Sequence, residues 1–206
     1  MSIGKIYYTP VSCGAASYIA ATYAGLQFDS EVVDLKTHKT ASGQDFYQIN
    51  PKGNVPTLVT PKGTLSEGPA ILQYIADQAP KSGLAPAFGS FERYHLIDTF
   101  NWVGSELHKS YSPLFKPSWD EATKTTFKET INTKLAFLEK NYIGKDEFLN
   151  PKQPSIATIY LYIVLSWSGF VGINLDSYPK VKQFVEQVGQ DPKIKSAQEK
   201  MNAASK

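Results

Sequence analysis

The pattern of the chain changes at residues 79–90, and this change constrains its fold more than any other feature. Before it, short runs of β-branched and aromatic residues alternate with runs of helical periodicity. The stretch itself, APKSGLAPAFGS, is rich in proline, glycine and small residues, as interdomain linkers are. After it we find helical patterns only. We therefore predict two domains, at residues 1–80 and 91–206, joined by a linker at 81–90.

The first half has the pattern of an α/β domain. Residues 5–8 and 28–35 are typical of strands, and the run 13–25 between them has helical spacing. A Pro-Lys-Gly turn within residues 58–65 predicts a β-hairpin, which leads into a second helix. The order is βαβ followed by ββα, so we expect a mixed sheet. The polar residues 36–47 are expected to form a loop with a weak helix.

The second half is predicted to be all α-helical. Four apolar residues recur at spacings of four and three, which places them on one helix face: Phe127, Ile131, Leu135 and Leu138. Ser155 precedes the apolar run 156–165, which indicates an N-capped helix buried on all sides. That run is about half the ~20 residues that a membrane span requires, so no membrane partner is expected.

Charge and cysteine content narrow the functional classes. Lys and Arg number 21 against 19 Asp and Glu, a net charge of +2 that is too small to favour a nucleic-acid partner. Cys13 is the single cysteine, so an intramolecular disulfide is excluded and a reducing compartment is favoured. The N-terminus lacks the apolar stretch of a secretory signal, and we expect a cytoplasmic protein. One cysteine and three scattered histidines do not predict a metal site.

Cys13 is the first candidate for chemistry. It follows a strand-ending turn and begins a helix, where free N–H groups and the helix dipole stabilise an anion. A thiol there is expected to tend toward the reactive thiolate. The alternative is that Cys13 is a small buried apolar residue. No Cys-X-X-Cys pair exists, which argues against a self-contained dithiol oxidoreductase.

Three further segments carry candidate residues, each with a structural alternative. A cis bond at Val55-Pro56 would turn the Val55 backbone toward a peptide ligand, although most X-Pro bonds are trans. Glu67 and Gly68 begin a helix that can hold a carboxylate, while Glu67 can bind an amine; a simple helix cap is the alternative. His108 can exchange a proton or hold a thiolate, but isolated surface histidines are common.

Taken together, four motifs resemble those of the bacterial beta-class glutathione transferases. They are YYTPVSC, NPKGNVPTL, LSEGPAILQYIAD and ELHKSYSPLF, in this order and spacing. The resemblance covers nearly the whole chain. It implies the glutathione transferase fold, with a thioredoxin-like N-terminal domain and an all-helical C-terminal domain.

The resemblance also implies roles for individual residues. Cys13 would lie against the glutathione sulfur and could form a mixed disulfide with it, and His108 would approach that sulfur from the helical domain. Asn101 would reach across a homodimer interface into the neighbouring site. The remaining glutathione contacts would come from Asn54, Val55, a cis Pro56, Glu67, Gly68 and Lys109. An extended anionic tripeptide suits a strand edge, a helix N-terminus and cations.

The chain departs from the family pattern at three positions. His38 stands where a lysine usually binds the glycyl carboxylate, so that contact is expected to weaken, to depend on pH, or to move to Lys36 or Lys39. Thr158 ends the capping tetrapeptide in place of aspartate, which predicts slower folding or lower stability rather than altered chemistry. Gly14 replaces a common serine beside Cys13, and one possible donor to the sulfur is thereby removed.

We therefore expect an enzyme that conjugates glutathione to small apolar electrophiles, or exchanges disulfides through Cys13, or does both. Tyr111, Phe115 and Trp167 are candidate lining residues for the electrophile pocket, although such aromatics are more often core. One alternative is a non-catalytic glutathione-binding or regulatory protein of the same fold. A weaker one is glutathione-dependent dehalogenation or peroxide reduction.

Overall fold

A mixed five-stranded sheet organises the first half of the chain. The computed structural model describes residues 2–116 and 118–204, so residues 1, 117, 205 and 206 of the predicted domains lie outside the described part. The sheet order is β3-β2-β1-β4-β5, in which β1 and β2 are parallel and the other neighbours antiparallel. The strands are β1 Lys5–Tyr8, β2 Asp29–Asp34, β3 Lys39–Thr40, β4 Thr57–Thr60 and β5 Gly63–Leu65. The predicted α/β fold with a mixed sheet is confirmed.

Side chains of β1 alternate between the two faces of the sheet. Ile6 and Tyr8 belong to the main hydrophobic core, whereas Tyr7 belongs to a small cluster on the other face. That cluster includes Val33 and the fully buried Phe46. This period of two is the geometry of a strand with both faces covered. Cys13 follows β1 directly, so the central strand of the sheet leads into the site described below.

The segment 36–47 contains more structure than its polar composition predicts. Lys39 and Thr40 pair with β2 as an edge strand, and a 3₁₀ turn follows at Phe46–Gln48. A strand of two residues leaves no periodicity to detect, because its pairing depends on the backbone and on β2. The expectation of loop and weak helix is therefore only partly correct.

Eight helices are found within the described residues. Pro179 and Pro192 lie in the first turns of α7 and α8, where their missing N–H groups cost nothing. The helices are α1 Gly14–Tyr23, α2 Gly68–Gln78, α3 Phe91–Trp102, α4 Lys109–Tyr111, α5 Glu121–Asn141, α6 Ile156–Ser166, α7 Pro179–Gly189 and α8 Pro192–Ala203. No helix in the described part of the chain is long and apolar enough to cross a membrane.

Helix α6 lies at the centre of the second half. Residues 156–165 are all buried, as the apolar run predicts. Ser155 Oγ accepts hydrogen bonds from the N–H groups of Ala157 and Thr158, so the predicted N-cap is confirmed. The Thr158 hydroxyl donates to Phe148 O at 2.7 Å, and Ser155 Oγ donates to the same oxygen. Thr158 thus ties α6 to the preceding 3₁₀ turn, a bond that offsets part of the missing aspartate cap.

The helix that carries His108 changes its winding along its length. Helix α3 continues into a π-helical segment, Val103–His108, and then into α4 and a 3₁₀ turn at Ser112–Phe115. The predicted end near Pro113 is close to this observed end. Such π segments are often found at functional sites.

One hydrophobic core extends through both halves of the chain. It includes Ile6 and Ala20 from the first half together with Leu161 and Ile194 from the second. Helix α1 packs on both α6 and α8. The division at residues 80 and 91 stays a prediction, since a shared core does not locate a boundary.

Candidate functional site

A cavity of about 530 Å³ opens between the two halves, and we call it the polar cavity. Its first wall comes from Ser12, Cys13, Leu35, Asn54, Val55, Pro56, Ser66, Glu67, Gly68 and Pro69. Its second wall comes from Asn101, Gly104, Ser105, His108, Lys109 and Tyr160. All the candidate site residues except His38 therefore meet at one cavity.

Cys13 lies at the N-cap position of α1 on the first wall. Its thiol donates a hydrogen bond to Val55 O at 3.4 Å. Burial raises the pKa of the Cys13 thiol to about 11. The backbone N–H groups of Cys13 and Gly14 and the charge of Lys109 lower this pKa, but the effect of burial is larger. The expected tendency toward thiolate is therefore wrong. The position of Cys13 at a helix start predicts that the helix dipole lowers the pKa of the thiol. It does not predict that the fold removes water from around the sulfur, which raises this pKa.

The loop before β4 is held by one buried side chain. Asn50 Nδ2 donates to Asn54 O at 2.9 Å and to Thr57 Oγ1 at 3.0 Å. The Val55-Pro56 peptide bond within this loop is cis, as predicted. Asn50 was not identified as a candidate, although it stands in the quoted motif NPKGNVPTL. Its two bonds fix the strand edge that borders Cys13.

Glu67 is engaged by a residue that the sequence reading missed. Its carboxylate pairs with Lys52 Nζ at 2.6 Å, and both side chains are more than half exposed. Glu67 is the N-cap residue of α2, but its side chain makes no capping bond. Gly68 then begins the helix. The first wall thus presents a carboxylate, an adjacent ammonium and the N-terminus of an 11-residue helix.

His108 is held by a tyrosine from α6. His108 Nδ1 lies 2.6 Å from the Tyr160 hydroxyl, and the His108 ring is 5.0 Å from the ring of Trp167. Burial, followed by the charge of Lys109, lowers the pKa of His108 to about 4. His108 is therefore neutral at pH 7. Tyr160 was not predicted, because it is one of three hydroxyl-bearing residues in the run 156–165 and no sequence signal distinguishes it from Thr158 and Tyr162.

Lys109 and Asn101 complete the second wall. The charge of Lys109 lowers the pKa of both Cys13 and His108, which puts it close to both. Asn101 lines the polar cavity of its own chain, and its backbone oxygen accepts a bond from Ser105 Oγ. The second wall therefore carries a cation close to both Cys13 and His108.

His38 is not among the described residues that line the polar cavity. It adopts a left-handed conformation with φ of 51°, and its ring stacks on Tyr47 at 4.6 Å. Its Nδ1 atom is buried and has no hydrogen-bond partner among the described residues. A Cβ atom at Gly53 would clash with the Tyr47 ring and come close to the His38 ring, so this position leaves no room for a side chain. The resemblance implies that His38 contacts the glycyl carboxylate of glutathione. That contact stays a prediction, and the position of the His38 ring against Tyr47 does not favour it.

A second, apolar cavity of about 470 Å³ shares Cys13 and His108 with the polar one. Phe115 and Trp167 line it as expected, together with Thr9, Val11, Ser12, Leu35, Ser112 and Phe170. Trp167 Nε1 donates to Val11 O at 2.9 Å, which connects the two halves here. Tyr111 is instead fully buried, and its hydroxyl bonds to Ser168. The two cavities meet at Cys13 and His108 and also share Ser12 and Leu35.

No group of three or more His, Cys, Asp or Glu side chains within residues 2–116 and 118–204 has the geometry to hold a metal ion. The side chains that line both cavities include one thiol and one imidazole.

Comparison with known proteins agrees with this geometry. Residues 5–77 match the family model described as glutathione S-transferase, N-terminal domain, and residues 105–200 match the one for the C-terminal domain. Glutathione S-transferase GstA of Escherichia coli O157:H7 is 35% identical over 195 residues, covering 94% of this chain and 96% of that protein.

Two solved structures have the same fold. A sphingomonad glutathione S-transferase complexed with glutathione is 40% identical with a TM-score of 0.90, covering 96% of this chain and 98% of that one. The beta-class enzyme of Sphingomonas chungbukensis is 38% identical with a TM-score of 0.89, at the same coverage. This chain belongs to the glutathione S-transferase family and is similar to its bacterial beta class.

Proposed function

We propose that the protein transfers glutathione to small apolar electrophiles at the junction of the two cavities. The observation that carries this proposal is that Cys13 and His108 line both the polar and the apolar cavity. A peptide thiol in the first cavity would therefore have its sulfur beside an apolar ligand in the second. Glutathione loses its thiol proton to water, the thiolate attacks the electrophilic carbon, a C–S bond forms, and the leaving group departs with its electron pair.

The charges of the polar cavity suit glutathione. The Glu67 carboxylate matches the γ-glutamyl ammonium, and the N–H groups at the start of α2 match the neighbouring carboxylate. The edge of the loop at Asn54 and Val55 matches the peptide backbone. Lys109 supplies positive charge near the sulfur position. The glutathione-bound structure of the sphingomonad relative supports the same ligand here.

Disulfide exchange through Cys13 is proposed as the slower reaction. The Cys13 thiolate attacks a glutathione mixed disulfide, forms a bond to the glutathione sulfur and releases the other sulfur as thiolate. A second glutathione then restores Cys13 and leaves as oxidised glutathione. Because the pKa of Cys13 is about 11, only about one thiol in 10⁴ is ionised at pH 7. Conjugation does not require that ionisation.

We further propose a homodimer in the cytoplasm. Support for the dimer comes from Phe88, Phe91 and Tyr94, aromatic side chains 59–87% exposed, where α3 begins. Asn101 lies further along the same helix, and the family resemblance implies that it acts at the dimer interface. Cys13 is a free thiol, which suits a reducing compartment. Light scattering with size-exclusion chromatography tests the dimer, and a monomeric mass would contradict it.

The test of the proposed function uses Cys13→Ala. Wild type is expected to conjugate glutathione to chlorodinitrobenzene and to reduce a mercaptoethanol–glutathione mixed disulfide. Cys13→Ala is expected to keep conjugation within about threefold and to lose exchange by at least about 100-fold, because the attacking sulfur is gone. Cys13→Ser serves as the matched control for packing. A wild type that turns over neither substrate would contradict the enzyme and favour a binding or regulatory protein.

A further inference from the structure

The buried helix α6 contributes one hydroxyl to the polar cavity. Tyr160 is 3% exposed, and its hydroxyl lies 2.6 Å from His108 Nδ1. The Tyr160 ring meets His108 edge to face at 5.8 Å, and it meets Phe100 in the same way at 5.1 Å. Packing thus holds the tyrosine in one position relative to the imidazole.

The protonation states of the two groups decide the direction of this hydrogen bond. His108 is neutral at pH 7, so one ring nitrogen donates and the other accepts. Burial raises the pKa of Tyr160 further above its ordinary value, so the hydroxyl keeps its proton. In the part of the chain that the structure describes, His108 Nδ1 is the one hydrogen-bond partner of this hydroxyl. If Nδ1 carried the proton, the tyrosine proton would have no acceptor among the described residues, which is unfavourable for a side chain that is 3% exposed.

We propose that Tyr160 is a positioning residue that donates its O–H to His108 Nδ1 and thereby keeps the imidazole proton on Nε2. Nε2 is then the ring nitrogen of His108 that is available to the glutathione sulfur at the junction of the two cavities. With its proton already in place, it donates a hydrogen bond to the glutathione thiolate and does not take up the thiol proton. This role toward glutathione rests on the function proposed above, whereas the tautomer does not.

The tautomer is tested by nuclear magnetic resonance on the full chain with ¹⁵N-labelled histidine. The chain has three histidines, and the His108 signals are assigned by their loss in His108→Asn. We expect an unprotonated Nδ1 and a protonated Nε2 in wild type at pH 7. In Tyr160→Phe the Nδ1 signal moves downfield, because its hydrogen bond is lost. A protonated Nδ1 in wild type, or an Nδ1 signal unchanged in Tyr160→Phe, would overturn the proposal.

The matched control is Tyr162→Phe, which removes a hydroxyl from the same helix. Tyr162 is 8% exposed, and its hydroxyl donates to Gln198 Oε1 at 3.2 Å, away from His108. This variant is expected to leave the His108 signals and the conjugation rate unchanged. If it alters them as Tyr160→Phe does, the effect is a general one of α6 and the positioning role is rejected. The wild-type spectrum decides the tautomer even if Tyr160→Phe does not fold.

Kinetics test the consequence for the reaction. Tyr160→Phe is expected to lower kcat for conjugation about tenfold, the loss that ~1.4 kcal/mol produces, with KM for glutathione unchanged. An unchanged kcat would overturn the positioning role. If wild type catalyses no conjugation, the proposed function fails, while the spectrum still decides the tautomer.

Discussion

The two walls of the polar cavity each hold one uncharged titratable group, but they are built in different ways. The first wall is built from a chain turn, a loop held by Asn50 and the start of α2, so backbone groups dominate it. The second wall is built from side chains of packed helices, with Tyr160 on α6 holding His108 on α3 and its continuation. Burial leaves Cys13 protonated on the first wall and His108 neutral on the second.

This difference indicates which amino-acid substitutions should alter the geometry of the site. Backbone groups of the first wall persist when a surface side chain is replaced. The second wall depends on contacts between residues far apart in sequence, so changes in α6 reach His108 without touching the ligand. We therefore expect the largest effect on the reactivity of the Cys13 thiol. Removing the α6 cap should have an intermediate effect on the free energy of unfolding, and breaking the Lys52–Glu67 pair should have the smallest.

The largest expected effect concerns the reactivity of Cys13. With a pKa of about 11, its alkylation by iodoacetamide at pH 7.5 should be about 100-fold slower than that of an ordinary thiol. The rate should still be rising at pH 10. The same protein unfolded in urea is the control, since Cys13 is its single cysteine. A rate that levels off below pH 8.5 in the folded protein would show that the first wall stabilises a thiolate.

The thiol also makes stability depend on pH. Its pKa is raised in the folded state, so the folded protein retains this proton more strongly than the unfolded chain. The contribution is fully present below the unfolded pKa and is lost as pH rises from about 9 towards about 11. Cys13→Ala should flatten this part of the stability profile.

An intermediate effect is expected from the cap of α6. Ser155→Ala removes the acceptor of two helix N–H groups and one donor to Phe148 O. We expect a loss of about 2 kcal/mol in the free energy of unfolding and a fall in Tm of about 4–8 °C. Ser166→Ala, at the other end of the same helix, should cost less than about 0.5 kcal/mol. Equal effects of the two variants would contradict the importance of the cap for the second wall.

The smallest effect is expected from the ion pair of the first wall. Lys52→Ala should change the free energy of unfolding by less than about 0.5 kcal/mol, because both partners are more than half exposed. Lys182→Ala breaks a similarly exposed pair with Asp176, far from the cavity, and is the matched control. Urea unfolding measures both. A loss above about 1 kcal/mol for Lys52→Ala alone would mean that the first wall depends on side chains as the second does.

Local patterns predicted the parts of the fold that depend on neighbouring residues. The strands around residues 5–8 and 58–65 and the capped helix after Ser155 were readable because their periodicity and turn residues lie within short windows. The edge strand Lys39–Thr40 was not readable, since its existence depends on β2. The π-helical winding before His108 also left no recognisable pattern in the sequence.

The sequence by itself determined the order of the main helices and strands, the place of Cys13 at a helix start and the family to which the motifs point. Only the tertiary structure decided the protonation of Cys13, the partnership of His108 with Tyr160 and the position of His38 against Tyr47. The physical reason is that a helix start or a turn is specified within a few residues, whereas desolvation and hydrogen-bond partners depend on segments that meet only in the folded chain.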